Sequence, residues 1–492
     1  MEGEWEMRNT DIRPTWSFRT QSALGTAVGY DTLQDIHIVR LAPGDGMLEV
    51  DFAYEGKESD LRGLEFRVEL FRRGSPGRVG AYPAAGGETT VVVRGLTNGE
   101  DYELKVTACA NGTEGVVSES AVRLARPGVV PGTVVNYIHP EDYTYDFSGR
   151  SPASPSITTL PNGRMLVSHD VYWQKGGQNL SKIFESLDGG RTWSFLCYLY
   201  PCFWGKLFQH RGSVYMLATR TEYGDLIIGR SDDEGKTWSE PSVILPGGDR
   251  DSGGPHKAPM PVVEHRGRLW SAIEYGAWSL GGHDAGVVSA SVDADLLDPS
   301  SWISSPFLPY DPSWPGAIRG GAAPSVLEGN VVVTPDGKLV NILRYHTKGG
   351  EPEHGRAVIL EIDDRHPERP LSFGKVIDFY GNLSKFTIQF DSVSGLYWSL
   401  VNRVASSNIF QRNILTLVSS PDLERWTICR DILNYHDNGW PEDDKQAGFQ
   451  YVDWEIHGDD LVFLSRTALN GAFNYHNANY ITFHRITDFR KI

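Results

Sequence analysis

The chain has 492 residues, of which 40% are hydrophobic and 22% charged, a composition ordinary for a folded protein with more than one domain. With 63 acidic against 46 basic residues the formal charge is -17, which disfavours a general nucleic-acid-binding function because such proteins usually carry the opposite sign. No apolar stretch is long enough to span a membrane, and MEGEWEMRNTDIRPTW lacks the pattern of a leader, so we expect a cytoplasmic protein, or a secreted one if a leader has been removed.

The first part of the chain is predicted to form a small β-sandwich at 31–127, preceded by an N-terminal extension at 1–30. Apolar and polar residues alternate through MLEVDFAY, LEFRVELFRR, ETTVVVRGL and DYELKVTACA, with turns between them. The stretch GLTNGEDYELKVTACA resembles the end of a fibronectin type III domain, in which a tyrosine, here Tyr102, closes a loop corner. This resemblance implies a spacer or docking module. Proline and glycine punctuate RPGVVPGTVV, so 128–140 are predicted to be a linker.

Six short turns follow the linker, and each leads into an apolar strand. Their spacing suits four-stranded blades whose faces are buried against their neighbours and whose edges are protected by ring closure. The pattern predicts an all-β chain in which a six-bladed β-propeller occupies 141–492. The turn glycines are Gly163, Gly212, Gly267, Gly337, Gly395 and Gly458.

A second repeat reads ESLDGGRTWSF at 185, SDDEGKTWSE at 231 and, in shortened form, SPDLERW at 420. Its aspartates, Asp188 and Asp233, can hydrogen-bond the backbone amides of their own turns, and the glycines Gly190 and Gly235 suit a positive φ. The following tryptophans are predicted to pack between strands. We therefore interpret this motif as a structural turn and assign no catalytic role to its aspartates.

The repeated motif and the six hairpins resemble the sialidase family of six-bladed propellers, the BNR-repeat proteins, over roughly residues 145–490. Propellers of this kind include hydrolases, lyases and binding proteins, so the fold alone does not define a reaction. In sialidases three arginines hold the substrate carboxylate, a tyrosine paired with a glutamate is the nucleophile, and an aspartate in a loop is the acid and base.

Four residues match this family pattern in order. LEGNVVVTPDGKLVNILR places Glu328 as the partner of the nucleophile and Arg344 as a carboxylate-binding arginine. QRNILTLVSSPD resembles the strand of the last arginine, here Arg412, and FQYVDW resembles the tyrosine strand and offers Tyr451. The resemblance therefore implies a retained pocket for an acidic sugar.

Two family positions differ in this chain. Ala153 stands where the first arginine is expected, and Arg150 lies three residues earlier. The loop sequence SHDVYWQKGGQNLSK contains no aspartate at the position of the acid and base, but it offers His169 and Asp170 as substrate-binding candidates. These differences leave open whether the chain is an ordinary exo-sialidase.

The matched residues also have a direct chemical interpretation. A tyrosine hydroxyl ionises near pH 10, so it needs a neighbouring base such as Glu328 to act as a nucleophile. A tyrosine is preferred to a carboxylate where the substrate itself is an anion, because two negative groups in contact repel each other. The combination of Tyr451 and Glu328 with two arginines therefore predicts an acidic sugar as the substrate.

Histidines support an alternative, β-elimination, in which arginine stabilises a uronate while one group removes the C5 proton and another protonates the leaving oxygen. His256 is the catalytic candidate, in GGPHKAPMP. Propeller lyases acting on rhamnose-capped glucuronate, and related rhamnosidases, are similar at this level. Further substrate-binding candidates are Glu274, Arg466, His476 and, at the rim of the pocket, Trp173.

The favoured hypothesis is an exo-acting glycoside hydrolase that removes a terminal sugar from acidic or uronate-containing glycans. A polysaccharide lyase or rhamnosidase, a non-catalytic glycan-binding propeller and a protein-binding adaptor remain alternatives. The expected partner is an oligosaccharide or polysaccharide, without nucleic acid or membrane, and the oligomeric state stays open. No cofactor or catalytic metal is expected, although GGDRDSGG at 247–254 could hold a structural cation such as calcium.

Overall fold

The computed structural model describes residues 15–27, 35–56, 63–84, 87–113, 115–173, 176–321, 325–381, 383–443 and 446–492. These ranges are almost entirely β-structure, which confirms the predicted fold class. The chain begins with strand β1 (Thr15–Phe18) and helix α1 (Gln21–Ala27). Strand β1 adds antiparallel to the outer edge of a propeller sheet, so part of the predicted N-terminal extension belongs to the propeller.

Eight strands form the small domain that the sequence places at 31–127. One sheet joins the first, second and fifth of them, and the other joins the remaining strands. Alternate side chains, such as Val50, Val68 and Leu104, are fully buried between the sheets. The Tyr102 hydroxyl accepts a hydrogen bond from the Thr97 amide at 3.0 Å and so closes the corner before its strand, while membership of the fibronectin type III family stays a prediction. The strands are β2 (Ile36–Gly44), β3 (Met47–Tyr54), β4 (Leu64–Arg72), β5 (Arg78–Pro83), β6 (Thr90–Arg94), β7 (Tyr102–Ala110), β8 (Val116–Glu119) and β9 (Arg123–Ala125).

Six antiparallel sheets follow as the blades of a propeller. The next strand in the chain, β10 (Thr133–Tyr137), is set apart from the first blade. Blade 1 contains β11 (Ser151–Thr159), β12 (Met165–Tyr172), β13 (Ser181–Ser186) and β14 (Ser194–Tyr200). Blade 2 contains β15 (Phe203–His210), β16 (Ser213–Thr219), β17 (Leu226–Ser231) and β18 (Ser242–Leu245). Blade 3 contains β19 (Gly254–His256), β20 (Val263–His265), β21 (Arg268–Ala277), β22 (Gly282–Ser291) and β23 (Trp302–Ser304).

The second half of the ring has the same plan. A small ribbon pairs β24 (Arg319–Gly320) with a strand at 350–351. Blade 4 contains β25 (Ser325–Val333), β26 (Leu339–His346), β28 (Arg356–Ile362) and β29 (Ser372–Asp378), and β27 (Gly350–Glu351) is the ribbon strand between them. Blade 5 contains β30 (Thr387–Asp391), β31 (Leu396–Asn402), β32 (Ile414–Ser420) and β33 (Thr427–Asn434). Blade 6 contains β34 (Gly448–His457), β35 (Asp460–Ala468) and β36 (Tyr480–Ile486).

Blade 6 is completed by β10, which pairs antiparallel with β36 as the outermost strand. The predicted linker at 128–140 is therefore corrected, since Thr133–Tyr137 is part of the ring. Combining a strand from the beginning of the propeller with three from its end closes the ring by hydrogen bonds and removes the free edges of an open sheet.

The six turn glycines occupy equivalent positions. Each lies in the turn between the inner strand of its blade and the next strand, the inner strand of blade 3 being divided into β19 and β20, and each has φ between 63° and 87°. A positive φ of this size is open to glycine without steric cost, which explains the repeated residue type. The six-hairpin prediction is thus confirmed blade by blade.

The second repeat forms the turn between the third and fourth strands of blades 1 and 2. The Asp188 carboxylate accepts hydrogen bonds from the Arg191 and Thr192 amides, both at 3.0 Å, and Asp233 accepts one from the Thr237 amide at 2.8 Å. These aspartates hold their own turns and lie away from the central cavity, as the structural interpretation predicts.

The sandwich is joined to the propeller by buried polar contacts. Arg40 of β2 donates to the carbonyls of Val134 and Val135 in β10 at 3.1 and 2.7 Å. Lys182 of β13 donates to the Val39 carbonyl at 2.8 Å. Because these cations are almost inaccessible to water, the sandwich is a packed part of the structure.

Candidate active site

A cavity of about 410 Å³ opens at one mouth of the central channel. All six blades supply side chains to it, and its lining includes four arginines, two glutamates and two histidines. Polar groups that converge in a concave site of this size are typical of small-ligand binding. The lining residues described below are Ser154, Trp204, His256, Glu328, Arg344, Arg412, Tyr451 and Arg466.

A backbone irregularity points four of these residues toward the axis. Ser154, Trp204, Glu328 and Tyr451 all have φ between 45° and 54°, although none is glycine. Each lies at a shift in the register between the first two strands of its blade. Non-glycine residues in this conformation cost energy, and β-bulges commonly redirect a side chain at a functional site. Two of the four, Glu328 and Tyr451, are the predicted catalytic pair.

The catalytic candidates meet at the wall formed by blades 4 and 6. Arg344 Nη1 donates to Glu328 Oε2 at 2.8 Å and to the Tyr451 hydroxyl at 3.3 Å. The Tyr451 hydroxyl also hydrogen-bonds to the Glu328 carboxylate. Burial alone would raise the pKa of Glu328, but the charge and hydrogen bond of Arg344, with smaller contributions from His256 and Tyr451, together outweigh burial and lower that pKa below its usual value. Glu328 is therefore ionised beside the tyrosine at neutral pH.

Two further arginines surround the same tyrosine. Arg412 donates to the Leu383 carbonyl at 3.0 Å and to the side-chain oxygen of Gln450, and Arg466 donates to the His476 carbonyl. Their guanidinium carbons lie 5.7 and 5.2 Å from the centre of the Tyr451 ring. Burial lowers the pKa of Arg466 to about 10, so this side chain is still charged at neutral pH.

These two arginines have no carboxylate partner among the described residues. Within the same ranges, the Nε atoms of Arg344, Arg412 and Arg466 are buried without a hydrogen-bond acceptor. Buried cations are ordinarily paired, and unsatisfied donors in a cavity favour an incoming acceptor. The mouth of the channel that contains these arginines is therefore positively charged locally, although the formal charge of the whole chain is -17.

His256 contributes a second titratable group to the cavity. Its Nδ1 lies 3.1 Å from Glu274 Oε2, and the Trp204 ring is 4.6 Å away in an edge-to-face arrangement. Glu274 also accepts the Gly329 amide at 3.0 Å and is only 1% exposed, so it orients the imidazole from behind. With Nδ1 directed to the carboxylate, Nε2 is the nitrogen available to a ligand.

The structure corrects several predicted substrate contacts. His169 is fully buried and stacks on Phe184 at 5.4 Å, with Nε2 next to the Asn136 amide and Nδ1 next to the Asp170 carbonyl, so it cannot reach the cavity. Burial lowers its pKa to about 3, and it is a neutral packing residue. Glu274 is likewise separated from the cavity, by His256.

Asp170 is one layer behind the cavity wall. Its carboxylate accepts hydrogen bonds from the Ser181 hydroxyl at 2.6 Å, from the Trp204 amide at 2.8 Å and from Ser154. Burial raises its pKa to about 7. Asp170 therefore holds two of the bulged residues, Ser154 and Trp204, in place and does not contact a ligand directly.

The other predicted residues divide between the cavity and its rim. His476 lines the cavity, and burial followed by the charges of Arg466 and Arg412 keeps its pKa well below the ordinary value. Trp173 lies outside the cavity against Phe473. Arg150 pairs with Asp146 at 2.6 Å, so it does not replace the missing first arginine. Arg466, from the neighbouring blade 6, stands beside Ala153 in the lining instead.

Sequence reasoning missed part of the lining. Tyr172, Glu222 and Tyr223 face the cavity from the ends of the second strands of blades 1 and 2 or the loops that follow. Arg344 and Arg466 occupy comparable positions in blades 4 and 6. A spacing of about seven to eleven residues after the hairpin glycine was therefore an available signal, because every second strand runs from that turn toward the same mouth.

The turn at 247–254, a candidate cation site from the sequence, directs the Asp249 carboxylate to its own residues. Asp249 accepts hydrogen bonds from the Ser252 amide and hydroxyl at 2.8 and 2.7 Å and from the Asp251 amide. Across the described ranges, no three His, Cys, Asp or Glu side chains are placed to share a metal ion. Within those ranges also, no helix has the length and apolar character needed to cross a membrane.

Comparisons with known proteins concern the architecture. No protein-family model matches the chain, and no curated protein matches it. Among solved structures it is similar to an α-L-arabinanase of Penicillium chrysogenum complexed with arabinobiose, at 15% identity and a TM-score of 0.47, over 73% of this chain and 98% of the other. An α-L-arabinofuranosidase of Fusarium graminearum with arabinobiose gives 12% identity and a TM-score of 0.48, over 73% and 98%.

A leech intramolecular trans-sialidase complexed with 2,7-anhydro-Neu5Ac is also similar, at 11% identity and a TM-score of 0.47, over 99% of this chain and 95% of the other. At these values the likeness concerns the general fold and carries no residue assignment. The sheets and side chains described above define the class: a six-bladed β-propeller with a packed sandwich and an arginine-rich cavity at one mouth.

Proposed function

We propose that this protein is an exo-acting glycoside hydrolase that removes a terminal sugar from acidic or uronate-containing glycans. One observation carries the proposal: Tyr451 contacts both Glu328 and Arg344 inside a cavity where Arg412 and Arg466 have no described carboxylate partner. Nucleophile, base and anion-binding groups thus share one small space.

Anion recognition follows from the unpaired arginines. A carboxylate on the sugar would supply acceptors for guanidinium groups that are now satisfied only by neutral oxygens. Charge-assisted hydrogen bonds of this kind are stronger than neutral ones, and arginine suits the planar geometry of a carboxylate. The sugar that enters the cavity is therefore the acidic one.

The first chemical step uses Tyr451 as the nucleophile. Its oxygen attacks the anomeric carbon as its proton passes to Glu328, and Arg344 stabilises the negative charge that develops on the phenolic oxygen. The bond from the anomeric carbon to the leaving oxygen breaks, and His256 protonates that oxygen. A glycosyl-tyrosine and a shortened glycan result.

The second step consumes water. His256 removes a proton from a water molecule that attacks the anomeric carbon, and the tyrosine oxygen leaves and regains its proton from Glu328. The substrate and one water become two sugars with each protein group restored. Glu274 keeps the His256 ring oriented during both proton transfers.

The cavity supports action at a chain end. Lys206 and Asp453 form a buried ion pair at 2.5 Å, and Lys206 belongs to the opposite mouth of the channel. Asp453 follows Tyr451 by two residues on β34, so this pair lies beneath the catalytic wall. A polymer cannot thread through a channel blocked in this way, which favours entry of one terminal residue.

A second candidate function is elimination from a uronate. The His256–Glu274 pair favours it, because an oriented imidazole can remove a C5 proton while Tyr451 protonates the leaving oxygen. The two reactions differ in the use of water: hydrolysis products sum to substrate plus water, whereas elimination products sum to the substrate alone and include an unsaturated sugar.

Mass spectrometry of products from a panel of sialylated, glucuronylated and rhamnose-capped oligosaccharides distinguishes the candidates. Hydrolysis predicts products heavier in total by one water, and Tyr451→Phe prevents their formation without preventing binding. Unsaturated products would replace the hydrolase proposal with the lyase. Binding of a panel member without any product would instead favour a glycan-binding propeller.

A further inference from the structure

Exposed aromatic side chains extend outward from the cavity over blades 1 and 6. We name Tyr143, Arg150, Trp173 and Phe473 the aromatic rim. Phe473 is 61% exposed and Tyr143 is 58% exposed. Large aromatic groups gain little by facing water, so a continuous group of them at the surface commonly marks a binding site.

The aromatic rim is continuous with the cavity. Tyr172 and His476, which line the cavity, meet edge to face with their rings 5.3 Å apart. Trp173 follows Tyr172 in the chain and meets Phe473 edge to face at 5.0 Å. The segments at 172–173 and 473–476 therefore form one pair of rings inside the cavity and a second pair at its margin.

Arg150 places a positive charge between the aromatic rings. Its guanidinium carbon lies 4.0 Å from the centre of the Tyr143 ring and 5.5 Å from that of Trp173. Nε donates to Asp146 at 2.6 Å, and no side chain in the described ranges is hydrogen-bonded to the two Nη groups. An acidic sugar could contact these Nη groups while its ring packs against the neighbouring aromatic faces.

We propose that the aromatic rim binds the sugar units that follow the terminal one, so that the substrate is an acidic oligosaccharide or polysaccharide chain of several units. This inference rests on the proposed function of the cavity. The terminal sugar enters past the Tyr172–His476 ring pair, and the chain leaves across Trp173 and Phe473. Arg150 favours a second anionic unit along the chain.

The test compares short and long substrates that end in the same sugar. For whichever panel sugar is cleaved, kcat/KM is measured with its methyl glycoside and with an oligosaccharide of at least four units. Phe473→Ala and Trp173→Ala should lower kcat/KM for the long substrate about tenfold and change it less than about twofold for the methyl glycoside. Arg150→Gln should show the same selectivity with acidic chains.

Phe390→Ala is the matched control. Phe390 is 52% exposed and pairs with Tyr397 at 4.9 Å, but it lies at the opposite mouth of the channel. This variant should leave both substrates unaffected. An equal loss of activity on both substrates in Phe473→Ala would show that the ring only supports the cavity, and no loss on either would show that the chain does not cross the aromatic rim.

Failure of the proposed function gives a separate result. If no panel member is turned over, calorimetric titration of the wild type and Phe473→Ala with the same oligosaccharides of four or more units still tests the aromatic rim. Binding weakened about tenfold in the variant would support the aromatic rim without the hydrolase. Equal binding, or no binding to the wild type, would overturn it.

Discussion

The two mouths of the propeller channel differ in how their charges are paired. The opposite mouth encloses about 850 Å³, twice the active-site cavity, and is lined by valines, prolines and aromatic rings. Its buried cation, Lys206, is paired with Asp453 at 2.5 Å. At the smaller mouth, Arg412 and Arg466 have only neutral partners among the described residues. Unpaired buried charge, and not cavity volume, therefore distinguishes the candidate active site.

The strongest test of this comparison removes the nucleophile. Tyr451→Phe deletes one oxygen at the functional mouth, so kcat should fall by more than about 1000-fold while the Kd for substrate changes little. Turnover and calorimetric binding measure the two quantities. Tyr397→Phe, at the opposite mouth, is the matched control and should retain full activity. Substantial turnover by Tyr451→Phe would exclude Tyr451 as the nucleophile.

A stability measurement tests the paired charge at the other mouth. Lys206→Met leaves the fully buried Asp453 carboxylate with the Ile157 amide but without its ion-pair partner, so the free energy of unfolding should fall by about 3 to 5 kcal/mol. Urea unfolding at neutral pH gives this value.

Lys385→Met is the control for that experiment. Lys385 is also buried, but its Nζ donates to the Val452 carbonyl at 2.7 Å and interacts with the Asp453 charge without a direct hydrogen bond. Its replacement should lower the free energy of unfolding by less than half as much. Equal losses would show that the direct contact between Lys206 and Asp453 adds nothing to burial of a lysine near this carboxylate.

Removal of an arginine without a carboxylate partner should weaken substrate binding but not stability, which is the reverse of the pattern expected for Lys206→Met. Arg412→Gln should weaken substrate binding about 100-fold because a charge-assisted contact is lost. Stability should be unchanged or improved, since no described carboxylate loses its partner. Binding and urea titrations measure both effects.

A suitable control is Arg268→Gln in blade 3, where the arginine donates to Ser289 outside the cavity. It should not alter substrate affinity. A large loss of stability in Arg412→Gln would contradict the distinction between the mouths.

The smallest effect is expected in the response to acid, which distinguishes the buried structural residue His169 from His256 in the cavity. The pKa of His169 is lowered to about 3 by burial, so between pH 6.5 and 3 the unfolded chain binds a proton that the folded chain does not. The free energy of unfolding should therefore fall as pH decreases through this window, by up to about 1.4 kcal/mol per pH unit for this group.

His169→Gln should reduce that pH slope without changing the pH profile of activity. Denaturation midpoints and kcat/KM between pH 4 and 7 give the comparison. His256→Gln should behave differently and alter the activity profile, since this ring faces the ligand. An unchanged stability slope in His169→Gln would mean that other groups dominate the acid response.

Much of the propeller was predictable because its signals are local. A glycine turn followed by an apolar strand is a short-range pattern, and six such patterns gave the number of blades. Glu328, Arg344, Arg412 and Tyr451 were predicted because their sequence segments resemble the sialidase pattern, and the structure brings all four to one cavity.

Features that depend on ring closure were not predictable in the same way. Thr133–Tyr137 has no local signal that distinguishes a linker from the last strand of a distant blade. His169 and Tyr172 lie three positions apart on β12, so their side chains point to opposite faces, and only the structure shows which of the two reaches the cavity. The placement of Arg466 beside blade 1 likewise depends on contacts between the two ends of the ring.

The contact between Arg40 and β10 has a consequence for synthesis of the chain. Strand β10 leaves the ribosome soon after the sandwich, whereas its partner β36 is made about 340 residues later. Domains tend to fold in the order of synthesis, and an unpaired strand edge invites association with other chains. Arg40 binds two β10 carbonyls from the sandwich, whose strands all precede β10 in the chain. A sandwich that folds first can therefore hold this strand in position until β36 is made.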